Sequence, residues 1–561
     1  MDEGVVPSPR LKLICDDLGR KFRVTDVRYL TGTKAVLMVE KEDVPRIVDF
    51  MFTVLKASYS TTAAVDERSK GEGFGVYHIF SLRGLMVVIG FHVSPDDPKA
   101  PSITNVIPGA NWAEREARDL LGVEFEGHPD PRRLVLPDDW PDDVYPLRKE
   151  FRYNDKSISG SVKEYPMRRP EAEECVVPIG PYHPALHEPE YFRLYVSRGR
   201  VVEAEYRGFM VSRGIEKLAE GRFTYDKVPF LAERICGICG YTHSTCYCLA
   251  AEEAAGLEVP ERAQYIRMVL LELERIHSHL LWMGVACHLL GFDTGFMHCW
   301  RVRERVMDLC ELITGNRKMY SMNMVGGVRR DIDEDKKRKV LKYVAAMRKE
   351  LEDLVEAITS VREIITRMEG VGVLEREDAI KMCAVGPVAR ASGIKRDVRK
   401  DHPYLAYRRV SFEVPVYNGN DVLSRFRVRV DELIESAGIV EQALNTMPPD
   451  DELMVRGMPK EGAVGVAAVE APRGEDVHFL MADKGGRIFR WKVRAPTYNN
   501  IPTLLYMLRG QSLADAPIII ASIDPCFSCT DRVVVMDMDS GRRRRLTARD
   551  MIRLSRRGGV V

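Results

Sequence analysis

The chain has 561 residues, with 83 Lys plus Arg against 83 Asp plus Glu, 45% hydrophobic residues and 12 cysteines. This length predicts two or more domains, and the charge balance excludes an overall field that would draw the chain to nucleic acid or acidic lipid. The cysteines of so long a chain are expected as metal ligands and buried thiols, not as a disulfide framework.

The Met1-Asp2-Glu3-Gly4 start lacks the basic and apolar stretches of a secretory signal, and no apolar run reaches the roughly 18 residues a membrane helix needs. A cytoplasmic location is therefore expected, with membrane attachment only through partners. From Val27 to Glu40 the pattern is strand-like, Val44 to Leu55 has helical spacing, and Phe74–Leu82 and Leu85–Val93 are β-rich, which predicts a small α+β unit. Asn111 to Leu121 predicts a charged helix stopped by Gly122. The Pro- and charge-rich stretch from Gly127 to Lys149 is expected to lie extended over a surface. The run from Ala110 to Phe151 resembles the 30-kilodalton hydrophilic subunit of respiratory complex I, which implies an assembly surface without a cofactor and a structural role for His128.

Polar, aperiodic sequence containing Ser157, Ser159, Gly160 and Ser161 predicts a linker at 156–175, between a first domain (1–155) and a second (176–532). Strand signals run to Met210. Helices are expected over Pro260–Leu290, Arg301–Thr314, Glu334–Ser360 and Leu423–Met447, and a hairpin over His478–Ala482 and Arg487–Ala495 around Asp483-Lys484-Gly485-Gly486. The fold class is α+β: a small N-terminal α+β domain, then a large helix-rich domain with peripheral strands. No internal repeat is present.

Two Cys-x-x-Cys pairs stand far apart in Arg234-Ile235-Cys236-Gly237-Ile238-Cys239-Gly240-Tyr241-Thr242-His243 and Asp524-Pro525-Cys526-Phe527-Ser528-Cys529-Thr530-Asp531-Arg532. Folded together they make a four-sulfur pocket for a soft or borderline metal. The plainest occupant is structural zinc, but zinc ribbons keep their pairs about 15 to 20 residues apart. These are separated by nearly the whole second domain. A redox dithiol needs only one pair beside a thioredoxin-like pattern. Arg234 and Arg532 bring positive charge beside the sulfurs, and His243 is placed to donate a hydrogen bond to a thiolate. Cys246, Cys248, Cys287, Cys299, Cys310 and Cys383 lack cluster spacing and read as buried thiols. His277 and His279, two apart on a helix, point to different faces and read as packing residues.

Arg-x-Cys-Gly-x-Cys-x-x-x-His and Asp-Pro-Cys-x-x-Cys-x-x-Arg resemble the two signature motifs of nickel-iron hydrogenase large subunits. The closing Arg532, where many such enzymes have His, resembles the membrane-associated, energy-converting group, and the fused first domain resembles its formate hydrogenlyase branch. The resemblance implies that Cys236 and Cys526 bind nickel alone, while Cys239 and Cys529 bridge nickel to an iron carrying carbonyl and cyanide ligands. It further implies that Glu188 relays protons and that Arg473 sits over the two metals. Glu216 is a candidate to bind a second cation, Mg or Fe. His183, His187, the run from Arg390 to Asp397, and Asp401-His402 match positions that line a quinone pocket in complex I relatives, and here stand as relics or as parts of a proton route.

The implied activity is interconversion of protons, electrons and H2. The implied partners are an iron-sulfur small subunit, ferredoxin-like subunits, antiporter-like membrane subunits, a formate dehydrogenase and a maturation endopeptidase. The last of these is expected to cut between Arg532 and Val533 and release 533–561. The other readings are a quinone oxidoreductase subunit, a hydrogenase linked to ferredoxin or carbon monoxide, and a zinc-filled scaffold.

Overall fold

The computed structural model describes residues 5–130, 132–137, 140–152, 168–180, 183, 186, 188, 190–209, 213–449 and 452–527. Helix α1 (Pro9–Lys21), capped by Ser8 with Pro9 in its first turn, precedes a five-stranded sheet of β1 (Val24–Thr31), β2 (Lys34–Val39), β3 (Ser58–Asp66), β4 (Phe74–Leu82) and β5 (Leu85–Val93), ordered β1-β2-β5-β4-β3. The single strand expected over Val27–Glu40 is thus a hairpin, broken at Gly32. The expected helix after Val44 is α2 (Val44–Asp49), which widens into π-type turns over Phe50–Val54.

Strands β4 and β5 are apolar on both faces because both faces are covered. Val87, Ile89 and Phe91 point into the first domain's own core, whereas Met86 and Val88 point outward onto the second domain. Helix α3 (Asn111–Leu121) ends at Gly122, whose φ of +79° is the left-handed geometry that stops a helix. The segment after it is not merely draped over the surface. Asp119 accepts the backbone N–H groups of Leu134, Val135 and Leu136, and all three side chains are buried.

The second unit opens with a small antiparallel sheet of β6 (Cys175–Ile179), β7 (Tyr191–Ser197) and β8 (Arg200–Arg207). Its body is helical: α4 (Gly240–Ala255), α5 (Glu261–Leu289), α6 (Asp293–Thr314), α7 (Glu334–Thr359) and α8 (Val422–Thr446). Helix α5 is buried along most of its length and packs against α4, α6 and α8. Helix α6 starts eight residues before the expected Arg301, with Asp293 in its first turn. Asp333 and Asp421 cap α7 and α8, accepting from Lys336 N and Ser424 N.

The expected hairpin belongs to a three-stranded antiparallel sheet, β9 (Val464–Ala471), β10 (Gly474–Ala482) and β11 (Ile488–Arg494). Val477, Phe479 and Met481 of β10 face the first domain, where Phe479 stacks on Tyr77 with ring centroids 5.5 Å apart. The alternate residues face α4. Lys492 donates to Glu116 at 2.6 Å, which adds a buried ion pair to this contact between the units.

Among the described residues, no helix is long and apolar enough to cross a membrane. The expected linker lies largely outside the described residues, and 533–561 wholly so.

Candidate metal centre

The first Cys-x-x-Cys pair forms the loop that opens α4. Cys239 is the residue before its first turn, and Cys236 Sγ accepts the N–H groups of Ile238 and Cys239, each at 3.3 Å. A helix N-terminus favours thiolate over thiol. The first-turn N–H groups of Tyr241 and Thr242 are taken by the Glu274 carboxylate, which reaches over from α5 at 2.8 and 2.9 Å. Burial pushes the Glu274 carboxyl up to about 7 against these hydrogen bonds. His277, one turn along α5, lies 3.3 Å from the carbonyl of Ile238 and so steadies the same loop.

The second pair follows a short helix, Ala516–Ser522. Asp524 has φ +53°, a left-handed geometry that Asp tolerates better than most residues, although the following Pro525 disfavours it. The turn it makes aims Cys526 inward, and Cys526 N donates to Thr497 Oγ1 at 3.2 Å. Across 290 residues of chain, Cys526 Sγ comes within 2.8 Å of Cys236 Sγ. Cys236, Cys239 and Cys526 form one buried cluster. Cys529 and Arg532 lie outside the described residues.

Arg473 sits in the two-residue turn that joins β9 to β10, between Ala471 and Gly474, which pair across it. The turn is held by close backbone approach. Gly386 and Gly474 both have positive φ, and a Cβ on Gly386 would collide with the Arg473 carbonyl. Asn500 ties the two loops together, donating to both Arg473 O and Val385 O at 3.3 Å. The guanidinium donates to Asp524 O at 2.5 Å, to Asp524 Oδ1 at 2.7 Å and to Ser278 Oγ at 3.1 Å. Burial opposes its charge. Asp524 and then Cys239, Cys526 and Cys236 outweigh that penalty and hold its proton more tightly than usual.

Arg234, expected beside the sulfurs, is instead exposed, and donates to Glu233 at 2.6 Å and to the Phe230 carbonyl at 2.8 Å. Arg473 is the described guanidinium that feels all three thiolates.

His243 lies one turn into α4. Its Nδ1 is 3.0 Å from Asp476 Oδ2 and 3.4 Å from His478 Nε2. Burial alone would strip its proton. The Asp476 carboxylate and, less strongly, the Cys236 thiolate reverse that and raise its pKa. Asp476, His478, Asp524, Ser278 and Glu274 were not singled out in the sequence. Two signals could have found some of them: the i, i+2 spacing of Asp476 and His478 on a strand beside the Arg473 turn, and the position of Asp524 within the quoted motif.

Glu188 is partly buried, while His187 and Pro189 on either side of it lie outside the described residues, and His183 is likewise partly buried. Glu216 is ion-paired: Arg490 Nη1 lies 2.7 Å from it, Lys492 Nζ lies 3.9 Å away, and Val493 N donates to it at 2.9 Å. Arg490 and Lys492 share one face of β11, so two protein cations already neutralise that carboxylate. Asp397 is likewise ion-paired. It is buried against Arg399 at 2.7 Å and Arg390 at 3.7 Å, in a cluster that continues to Glu432, Glu470 and Glu272. His402 turns to the first domain, 2.6 Å from Ser81 Oγ. Cys246, Cys248, Cys287, Cys299, Cys310 and Cys383 are buried free thiols, and burial pushes Cys310 and Cys383 up to about 12. His277 and His279 are packing residues, and His279 bonds Glu432 at 2.8 Å.

The donor set fits a soft or borderline metal. Sulfurs from both pairs converge in a buried pocket, and as thiolates they would be stabilised by a cation between or beside them.

Three family models match the chain: the 30 Kd subunit of respiratory-chain NADH dehydrogenase over 37–157, the 49 Kd subunit of the same enzyme over 290–464 and 452–532, and nickel-dependent hydrogenase over 213–293. The chain is 42% identical over 525 residues to formate hydrogenlyase subunit 5 of Escherichia coli (strain K12), with 92% of each chain covered. It is 35% identical to an NADH-quinone oxidoreductase subunit of Phocaeicola vulgatus, with 82% of this chain and 93% of that one covered. A chain in the structure of the membrane-bound sulfane sulfur reductase, an archaeal respiratory membrane complex, matches with a TM-score of 0.62 at 34% identity, and the match covers 66% of this chain and 100% of that one. The chain therefore belongs to the family of large subunits shared by formate hydrogenlyase-type, nickel-dependent membrane-bound hydrogenases and respiratory NADH dehydrogenases.

Proposed function

We propose that this chain is the hydrogen-activating subunit of a membrane-associated nickel-iron hydrogenase, interconverting protons plus electrons and H2, in a complex like formate hydrogenlyase. The observation that carries this reading is the convergence of Cys236, Cys239 and Cys526 beneath the Arg473 guanidinium. A subunit that only reduced quinone would have no use for that sulfur pocket.

Cys236, Cys239, Cys526 and Cys529 would hold the metals, with carbonyl and cyanide completing the iron. When bound, such a centre supplies the redox chemistry of H2. The protein residues do the rest. Arg473, fixed by Asp524 and Ser278, presents a positive charge that polarises substrate or holds the cyanide groups. A terminal thiolate such as Cys526 takes the proton, and Glu188 passes it toward solvent. Electrons leave through an iron-sulfur small subunit to ferredoxin-like partners, and antiporter-like subunits anchor the assembly on the cytoplasmic side of the membrane. An endopeptidase removes the residues after Arg532 once nickel is in place.

The test is metal analysis and infrared spectroscopy of the purified complex, alongside assays of H2 evolution and quinone reduction. Nickel with carbonyl and cyanide bands is expected. Mature protein that contains zinc alone, or that lacks metal and reduces quinone, overturns the reading.

A further inference from the structure

Asp476 and His478 lie two apart on β10 and therefore point the same way, toward α4 and the sulfur pocket, while Val477 and Phe479 face the first domain. All three groups of the cluster His243, Asp476 and His478 are buried. Asp476 Oδ2 stands 3.0 Å from His243 Nδ1 and 3.4 Å from His478 Nε2, at ion-pair rather than in-line hydrogen-bond geometry. Neither carboxylate oxygen meets another hydrogen-bond donor among the described residues. A buried carboxylate left with two imidazoles as its only partners is costly unless its charge has a use.

Two imidazoles and a carboxylate also form a common metal-ligand set, and Trp491 decides against that use. Its indole N–H donates to His478 Nδ1 at 3.3 Å, which places the ring proton on Nε2, the nitrogen facing Asp476. A protonated nitrogen cannot ligate a metal. It can share a carboxylate.

We propose that Asp476 is a positioning residue for the sulfur pocket: it holds the His243 ring by its Nδ1 edge, and so fixes the orientation and donor strength with which that ring acts on the Cys236 side of the centre. The fold supports this at both ends. His243 N is tied to Cys239 O at 3.3 Å, so the ring moves with the first Cys pair. Cys246, one turn further along α4, donates to Asp476 O at 3.5 Å and pins the strand to the helix. Where a histidine ligates a metal, the carboxylate behind it orients the ring, and its loss commonly costs roughly 10- to 100-fold in affinity or activity; here the same device acts one step further out, through a ring that tunes a thiolate.

The inference rests on the nickel-iron reading, and the experiment separates the two. Infrared spectra and redox titrations are recorded on the purified, nickel-loaded complex for the wild type, D476N, D476E and H478Q. Wild-type protein without carbonyl and cyanide bands defeats the nickel-iron reading itself. With bands present, D476N is expected to keep its nickel and shift both the bands and the midpoint potential, and D476E is expected to bring them part of the way back. H478Q exchanges the ring N–H for an uncharged amide N–H on a more flexible side chain, which loosens the hold of residue 478 on the carboxylate in favour of His243, and is expected to shift the bands in the opposite sense. It also carries the test should D476N load no nickel. Bands and potential unmoved in nickel-loaded D476N, or in H478Q where D476N does not load, overturn the inference.

Discussion

Arg473 and Asp524 are joined twice, Nε to the backbone carbonyl at 2.5 Å and Nη2 to the carboxylate at 2.7 Å, so the guanidinium and the turn that aims Cys526 move as one body. Arg473→Lys keeps the charge but cannot make both contacts, because an ammonium lacks the planar fork. H2-dependent isotope exchange is expected to fall by on the order of 100-fold or more, with nickel content unchanged. Exchange at the wild-type rate would show that the geometry of the guanidinium is immaterial.

Cys526→Ser replaces a soft ligand by a hard one. Nickel content is expected to drop to background while far-UV circular dichroism stays the same. Cys15→Ala, at a buried thiol on α1 in the first domain, is the matched control. It should retain nickel and lose only about 1 kcal/mol of stability in denaturant titration. Equal nickel loss in both variants would mean that metal content reports folding and not ligation.

Phe479 is fully buried between the two units and stacks on Tyr77. Phe479→Ala is expected to cost about 3 kcal/mol or more, and to split thermal unfolding into two steps as the first domain loosens from β10. A single cooperative transition at the wild-type midpoint would contradict this packing.

Glu114 is buried in the first domain, where it accepts from Ser102 Oγ, Thr104 Oγ1 and Ile103 N, yet burial wins and pushes its carboxyl from 4.5 up to about 7. Between these values the folded chain keeps a proton that the unfolded chain has released. The stability contributed by this group therefore falls as pH rises from about 4.5 to about 7 and is level above that. In Glu114→Gln this slope is expected to vanish. Urea midpoints across the window check it, and identical pH profiles for both proteins would refute it.

The long helices were legible because capping residues and sustained apolar spacing agree, as at Asp333 and Asp421. Their limits were missed where the chain gives no such signal. Helix α6 begins at Asp293, before a glycine that hid the start, and β9 passed unnoticed because a strand buried on both faces shows no alternation. The meeting of Cys236, Cys239 and Cys526 was legible from the two motifs, since two Cys-x-x-Cys pairs so far apart point to one shared site. Its supports were not. Asp524, Ser278 and Glu274 matter only through the folded distances that bring them to Arg473 or to the start of α4. Arg234 misled because adjacency in sequence says nothing of direction. The pairing of Glu216 was not legible either, because the two cations that neutralise it arrive from β11, almost at the other end of the domain.

Strand β10 has its charged side turned to the sulfur pocket and its oily side turned to the first domain. The second unit on its own would present Val477, Phe479 and Met481 to water, where they invite aggregation. Carrying both units on one chain delivers the cover together with the part it protects, in equal number and without a search between separate partners. The second unit is thus shielded as soon as synthesis ends.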